Sequence, residues 1–178
     1  MEIDWTVLDF IQKFFRCDFL DFAMPKITML GNSGFIWILA TSILTFTKKY
    51  RKCGITLLIG LAIGGILGNL VLKPLIARPR PCWLDPSFEL LISNPTDYSF
   101  PSGHTMVSVI SAIILTISNK RFGFVVVPLA ILIIFSRLYL YVHFPTDILG
   151  AILLGTIVSI FSKFIVEKLA LGPKHFFS

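Results

Sequence analysis

Apolar residues in this chain form long runs instead of the short alternating patterns of a soluble domain. A helix needs about 20 mainly apolar residues to cross a bilayer. We therefore expect a transmembrane helix from each of five runs, at 29–47, 54–72, 103–118, 122–140 and 146–166. The pattern predicts an all-α, polytopic membrane helix bundle with five to six transmembrane helices.

The region before the first run has a different pattern. Charged residues interrupt every apolar stretch up to residue 23, so we do not expect a signal peptide. Residues 3–15 predict an amphipathic N-terminal helix that lies in the membrane interface or packs against the bundle. Its polar face would carry Asp9, Gln12, Lys13 and Arg16. Pro25 and the polar stretch 31–33 are expected to mark the entry to the first span.

Composition supports a membrane protein and excludes most other classes. Hydrophobic residues make up 55% of the 178 residues and charged residues 15%, whereas soluble domains have about 25% charged residues. The mean hydropathy is +0.83. A chain of this size cannot hide so much apolar surface from water, so a soluble, disordered or fibrous protein is excluded. The length accommodates a single domain over 1–178.

The distribution of charge predicts an orientation. The net charge is +6, and basic residues cluster at 48–52, at 120–121 and near the C-terminus at Lys168 and Lys174. Five spans place these clusters on one side, which the positive-inside rule makes cytoplasmic. The loop 73–102 would then lie on the external face of the plasma membrane. Membrane lipids are expected partners, and nucleic acid is not.

Three polar motifs stand at the external ends of predicted spans. The first runs from Lys73 to Arg80 and Pro81, the second is Pro-Ser-Gly-His at 101–104, and the third runs from Ser136 to Asp147. Separately they have ordinary explanations as interface anchors, a helix cap or a structural pair. Together they bring five ionisable groups to one membrane face: Lys73, Arg80, His104, Arg137 and His143. Such a convergence favours a functional site.

The spacing of these motifs resembles the signature of the type 2 phosphatidic acid phosphatase (PAP2) family, which also includes the vanadium haloperoxidases. The patterns K-x6-R-P, P-S-G-H and S-R-x5-H-x3-D occur in that order across 73–147. The resemblance implies a phosphatase site at the membrane surface. The haloperoxidases are soluble enzymes, and this chain has no soluble body.

The resemblance also implies a role for each motif residue. His143 matches the nucleophile that forms a phosphohistidine, Asp147 the carboxylate that orients it, and His104 the general acid. The phosphate-binding residues would be Lys73, Arg80, Ser102, Gly103 and Arg137. No metal-ligand motif or cofactor motif is present, so neither a metal nor another cofactor is expected. Arg78 matches no motif position and is interpreted as a surface charge, with a contribution to the positive field or contact with a second phosphate as the alternatives.

The sequence therefore predicts an integral membrane lipid phosphatase that acts without metal. Its substrate would be a lipid phosphate or diphosphate of the undecaprenyl diphosphate, phosphatidylglycerophosphate or phosphatidate class. Two alternatives stay open: a lipid phosphotransferase of the same family and a membrane anion transporter. The oligomeric state is also left open.

Overall fold

A computed structural model describes residues 2–171, and it is helical apart from turns and one long loop. Within these residues the α-helices are α1 Glu2–Phe15, α2 Asp18–Gly31, α3 Phe35–Phe46, α4 Arg51–Gly65, α5 Lys73–Ile76, α6 Pro81–Leu84, α7 Gly103–Ser118, α8 Lys120–Tyr139 and α9 Pro145–Leu171. Short 3₁₀ helices occur at Asn32–Gly34 and Lys48–Tyr50, and a π-helical segment, Ile66–Leu72, joins α4 to α5. Lys174 lies outside the described residues.

The all-α, multi-pass prediction is confirmed. Four helical stretches in the described chain are long and apolar enough to cross a membrane: Asp18–Phe46, Lys48–Leu84, Lys120–Tyr139 and Pro145–Leu169. The apolar helix α7 is shorter, with 16 residues. All five predicted runs thus fall in helices.

The first span begins earlier than predicted. It starts at Asp18 instead of residue 29, and Pro25 lies inside α2. Membrane helices tolerate an internal proline because neighbouring groups satisfy the freed carbonyl. The polar stretch 31–33 instead lies inside the span, at the junction of α2 and α3. Ser33 and Gly34 have positive φ angles of 52° and 70° at this junction.

Helix α7 lies at the centre of the bundle, in contact with α4, α8 and α9. Glycines lie where it packs against α4 and the π-helical segment, as is usual between membrane helices. A Cβ atom at Gly64 would lie 2.6 Å from the Ile110 side chain, and one at Gly68 would lie 2.7 Å from Met106. At these two positions glycine leaves room for the side chains of α7.

The N-terminal helix α1 packs against α8 and α9. Its buried face consists of Asp4, Leu8 and Ile11, which occupy i, i+4 and i+7 and so share one side of the helix. Phe10 and Phe14 are exposed. Of the two placements predicted for this helix, packing against the bundle is the one observed. The buried position of Asp4 was not predicted.

Candidate active site

A cavity of about 980 Å³ opens at the end of the bundle where α7 begins and α8 ends. One part of its wall is basic and comes from all three motifs: Lys73, Arg80, His104, Arg137 and His143. Another part is apolar and includes Met29, Ile38, Leu61, Leu91, Ile92 and Val107. The cavity therefore combines a positively charged region with an apolar wall that faces the helices.

Local structure explains how the motifs converge. Lys73 follows the π-helical segment directly, and Arg80 precedes α6, whose first residue is Pro81. Arg137 lies in the last turn of α8, and His143 lies in the turn before α9. The structure brings together all five ionisable residues that the sequence singled out.

Two of the cations share a carboxylate that was not predicted. Asp97 Oδ1 accepts a hydrogen bond from Arg80 Nη2 at 2.7 Å, and its other oxygen contacts Lys73 Nζ. Burial alone would raise the pKa of Asp97, but the hydrogen bonds and charges of Lys73 and Arg80 outweigh it and lower the pKa to about 2. Asp97 thus provides the negative charge that pairs with these two cations.

Arg137 has unused hydrogen-bonding capacity. Its Nη1 donates to Thr28 Oγ1 at 2.7 Å, while its buried Nε has no partner among the described residues. A buried donor without a partner costs about 1–3 kcal/mol. An anion in the cavity would remove that cost, because a planar guanidinium can bind two phosphate oxygens at once.

The surroundings of His143 define its tautomer. Arg80 Nη1 lies 3.1 Å from Nε2, and because a guanidinium can only donate, Nε2 must be the unprotonated nitrogen. Nδ1 therefore carries the proton and lies 3.4 Å from Ser99 Oγ. Burial, together with the charges of Arg80, Arg137 and Lys73, lowers the pKa of His143 well below its usual range. The imidazole is therefore neutral, with a lone pair on Nε2.

Asp147 is close to His143 but not in direct hydrogen-bond contact. The distance from Asp147 Oδ2 to Nδ1 is 3.6 Å, which is too long for a hydrogen bond. The Ser99 hydroxyl contacts the same carboxylate oxygen and links the two residues. Phe144 N also donates to this oxygen at 2.8 Å. The expected direct pair is thus replaced by a serine-bridged one.

The interpretation of Arg78 as a surface charge is wrong. Its Nη1 donates to Asp147 Oδ1 at 2.5 Å, and its Nη2 donates to Asp4 Oδ2 at 2.8 Å. The guanidinium also lies over the Phe144 ring, 4.3 Å from its centroid. Arg78 is therefore an internal link between α1 and the start of α9.

Residues of the second motif lie both in the cavity lining and in the layer of side chains behind it. His104 Nε2 lies 3.0 Å from Asn32 Oδ1. Gly103 also lines the cavity. Ser102 is fully buried and caps α7, and its hydroxyl contacts Thr105 N at 3.4 Å and Thr105 Oγ1 at 2.9 Å. Ser102 and Asp147 support the cavity from behind its lining.

Sequence reasoning missed several residues of the site. Asp97 and Ser99 precede the second motif directly, and this proximity was a usable signal. Asp4 had a weaker signal, its helical register with Leu8 and Ile11. Within residues 2–171, no group of three or more His, Cys, Asp or Glu side chains is placed to hold a metal ion.

Comparisons with known proteins agree with this geometry. The PAP2 superfamily model matches residues 53–170. An undecaprenyl-diphosphatase from Sulfolobus acidocaldarius is 37% identical over 141 residues, which cover 78% of this chain and 66% of that protein. The crystal structure of Aquifex aeolicus LpxE superposes with a TM-score of 0.79 at 27% identity and covers 90% of this chain and 94% of that chain.

A second solved structure is also similar. It is a transmembrane PAP2-type phosphatidylglycerolphosphate phosphatase from Bacillus subtilis, with a TM-score of 0.75 and 29% identity. The match covers 96% of this chain and 88% of that chain. Both similar structures therefore share the fold over most of their length.

Proposed function

Because the chain belongs to the PAP2 superfamily, we propose that it is an integral membrane phosphatase that hydrolyses lipid phosphates or diphosphates through a phosphohistidine. The observation that carries this proposal is the cavity itself. Five basic side chains line one part of it and apolar side chains line another. A molecule with a phosphate head and an apolar tail matches both parts.

In the first step, His143 Nε2 attacks phosphorus, and the bond between phosphorus and the lipid oxygen breaks. Lys73, Arg80 and Arg137 bind the equatorial oxygens, where charge is concentrated in phosphoryl transfer. Arg80 leaves Nε2 and binds the phosphate, which frees the lone pair for attack. A protonated His104 gives a proton to the departing lipid oxygen and is left neutral. The backbone at Gly103 leaves room for the phosphate.

In the second step, water attacks phosphorus, and the bond from His143 Nε2 to phosphorus breaks. His104, which has lost its proton, now accepts one from the water. Inorganic phosphate leaves, and both histidines return to their starting protonation states. During the intermediate, the phosphorylated imidazole keeps its Nδ1 proton, and Ser99 and Asp147 stabilise it from the buried side.

The proposed substrate class is supported by the cavity and by the names of similar proteins. One relative is named an undecaprenyl-diphosphatase, and one similar structure is titled a phosphatidylglycerolphosphate phosphatase. Both names describe a phosphate joined to a lipid. We extend this class to the present chain without choosing between a monophosphate and a diphosphate.

We also propose that the site faces the exterior of the plasma membrane. The basic cluster at 48–52 and the pair at 120–121 lie at the opposite ends of their helical stretches from the cavity residues Lys73 and Arg137. The positive-inside rule assigns the basic ends to the cytoplasm, which supports an external cavity.

The test is a panel assay with the purified protein in detergent. Lipid monophosphates and diphosphates are supplied in water labelled with oxygen-18, and the products are identified by mass spectrometry. Hydrolysis incorporates the label into released phosphate. Transfer of the phosphoryl group to an added alcohol, without labelled phosphate, would instead indicate a phosphotransferase. Absence of turnover on every lipid phosphate would refute the proposal.

A further inference from the structure

We propose that Asp4 and Arg78 are positioning residues of the catalytic centre, and that α1 takes part in catalysis by supplying Asp4. The inference rests on the proposed role of His143 as nucleophile. Neither residue belongs to the three motifs, and Asp4 lies outside the region matched by the family model, residues 53–170. Arg78 nevertheless contacts Asp147 directly, and Asp4 is linked to Asp147 through Arg78.

The network consists of buried or partly buried charges with short contacts. Asp4 is 3% exposed and Asp147 is fully buried. Arg78 lies between them and uses one terminal nitrogen for each carboxylate, at 2.8 Å and 2.5 Å. Two separate nitrogens in one rigid plane fix the distance between the two carboxylates. Asp147 therefore cannot turn without disturbing Arg78 and Asp4.

Asp4 also holds the first turn of α9. Its Oδ1 accepts a hydrogen bond from Thr146 N at 3.0 Å, and Thr146 Oγ1 contacts both of its carboxylate oxygens at 2.9 Å. Thr146 directly precedes Asp147. The carboxylate of α1 thus contacts both the backbone beside Asp147 and the arginine that binds its side chain.

The balance of charge gives this network a chemical role. Two carboxylates share one guanidinium, so the group formed by Asp4, Arg78 and Asp147 carries one net negative charge beside His143. The imidazole becomes cationic when Nε2 bonds to phosphorus while Nδ1 keeps its proton. Without Asp4, Arg78 would neutralise Asp147. Asp4 therefore preserves the negative charge that stabilises the phosphorylated imidazole.

The decisive variant is Asp4→Asn in the full chain. The amide oxygen can still accept from Thr146 N, so α1 stays docked while one charge is lost. The matched control is Asp9→Asn, the same change at an exposed position of the same helix. We expect Asp4→Asn to lower kcat about tenfold, as for carboxylate partners of metal-bound histidines. KM should stay within about twofold, because phosphate binding is untouched.

Two further measurements separate positioning from stability. Arg78→Lys keeps the charge and should retain more kcat than Arg78→Gln, while both lose the fork that holds two carboxylates. The chain has three histidines, so ¹⁵N-histidine NMR can follow His143 directly. In Asp4→Asn its Nδ1 resonance should shift, and in Asp9→Asn it should not. Unfolding temperatures in detergent identify any variant that is not folded.

The outcomes are separable. If the wild-type protein hydrolyses lipid phosphates but Asp4→Asn and Asp9→Asn have equal kcat and equal His143 resonances, this inference is wrong and the proposed function stands. If the wild-type protein forms no phosphohistidine, the proposed mechanism is wrong, and this inference is wrong with it. If Asp4→Asn does not fold, the two Arg78 variants decide: equal kcat in Lys, Gln and wild type would overturn the positioning role.

Discussion

Replacement of Asp97 by asparagine should make the enzyme bind phosphate analogues more tightly. The Asp97 carboxylate contacts Lys73 and Arg80 in the ligand-free structure, and both cations are proposed to bind the substrate phosphate. A phosphate must therefore compete with Asp97. Asparagine keeps the shape of the side chain and removes the negative charge that competes.

The magnitude follows from the exposure of the pair. The Asp97 side chain is 52% exposed, so each of its two ion pairs is worth about 0.5–1 kcal/mol after screening by solvent. Displacement of both costs about 1–2 kcal/mol. Since about 1.4 kcal/mol corresponds to a tenfold change in affinity, the inhibition constant of vanadate should fall about 5- to 30-fold in Asp97→Asn.

Stability without ligand should change in the opposite direction. Lys73 and Arg80 are 7% and 2% exposed, and loss of the carboxylate leaves two buried cations to repel each other. The unfolding temperature of Asp97→Asn should therefore fall, and added vanadate should raise it more than in wild type.

The assay combines vanadate inhibition with thermal unfolding in the same detergent. Glu89→Gln, at an exposed position of the same loop, controls for a general loss of negative charge. Weaker vanadate binding in Asp97→Asn would refute the reasoning, because Asp97 would then be organising the two cations for phosphate instead of competing with it.

The remaining predictions concern mechanism, pH, metal and topology. His143→Ala should form no acid-labile phosphoprotein in rapid-quench experiments with ³²P-labelled substrate. His104→Ala should retain more activity on aryl than on alkyl phosphates, because only the alkyl leaving oxygen needs protonation. Equal losses on both substrates would contradict the acid role of His104. The pKa of His143 is lowered in the folded protein, so below about pH 6.5 the unfolded chain takes up a proton that the folded site does not. The unfolding temperature should therefore decline as the pH falls below that value. His143→Gln should reduce this decline. Excess EDTA should leave turnover in detergent unchanged. A loss of turnover that Mg²⁺ restores would contradict the proposal that Lys73, Arg80 and Arg137 stabilise the charge without a metal. A cysteine at Ser93, in a variant lacking Cys17, Cys53 and Cys82, should react with a membrane-impermeant thiol reagent in intact cells, and labelling by permeant reagents alone would reverse the proposed orientation.

The motif spacing predicted that the basic residues converge, because these residues lie beside helix ends. Lys73, His104 and Arg137 each lie within a turn of a helix terminus, and helices that cross the same membrane bring their ends to the same surface. The spans were predicted for a related reason, since the bilayer imposes both length and hydrophobicity on a helix.

The parts that were not predicted depend on contacts between distant segments. Asp4 and Thr146 are 142 positions apart, and no local pattern indicates that they touch. Arg78 has the composition of a surface residue, and only its position between two carboxylates makes it internal. The predicted start of the first span is too late because a proline such as Pro25 usually marks a helix boundary, whereas a membrane helix can contain it.

The π-helical segment Ile66–Leu72 makes the number of residues before Lys73 important for the cavity. An α-helix advances about 100° and 1.5 Å per residue, and π-helical turns in α-helices often occur at functional sites. Deletion of one residue from this segment would let it return to α-helical hydrogen bonding and would carry Lys73 around the helix axis, away from Asp97. Leu70 and Val71 are exposed on the same segment. At these two positions, deletion of a residue should therefore disturb the cavity more than replacement by another apolar residue.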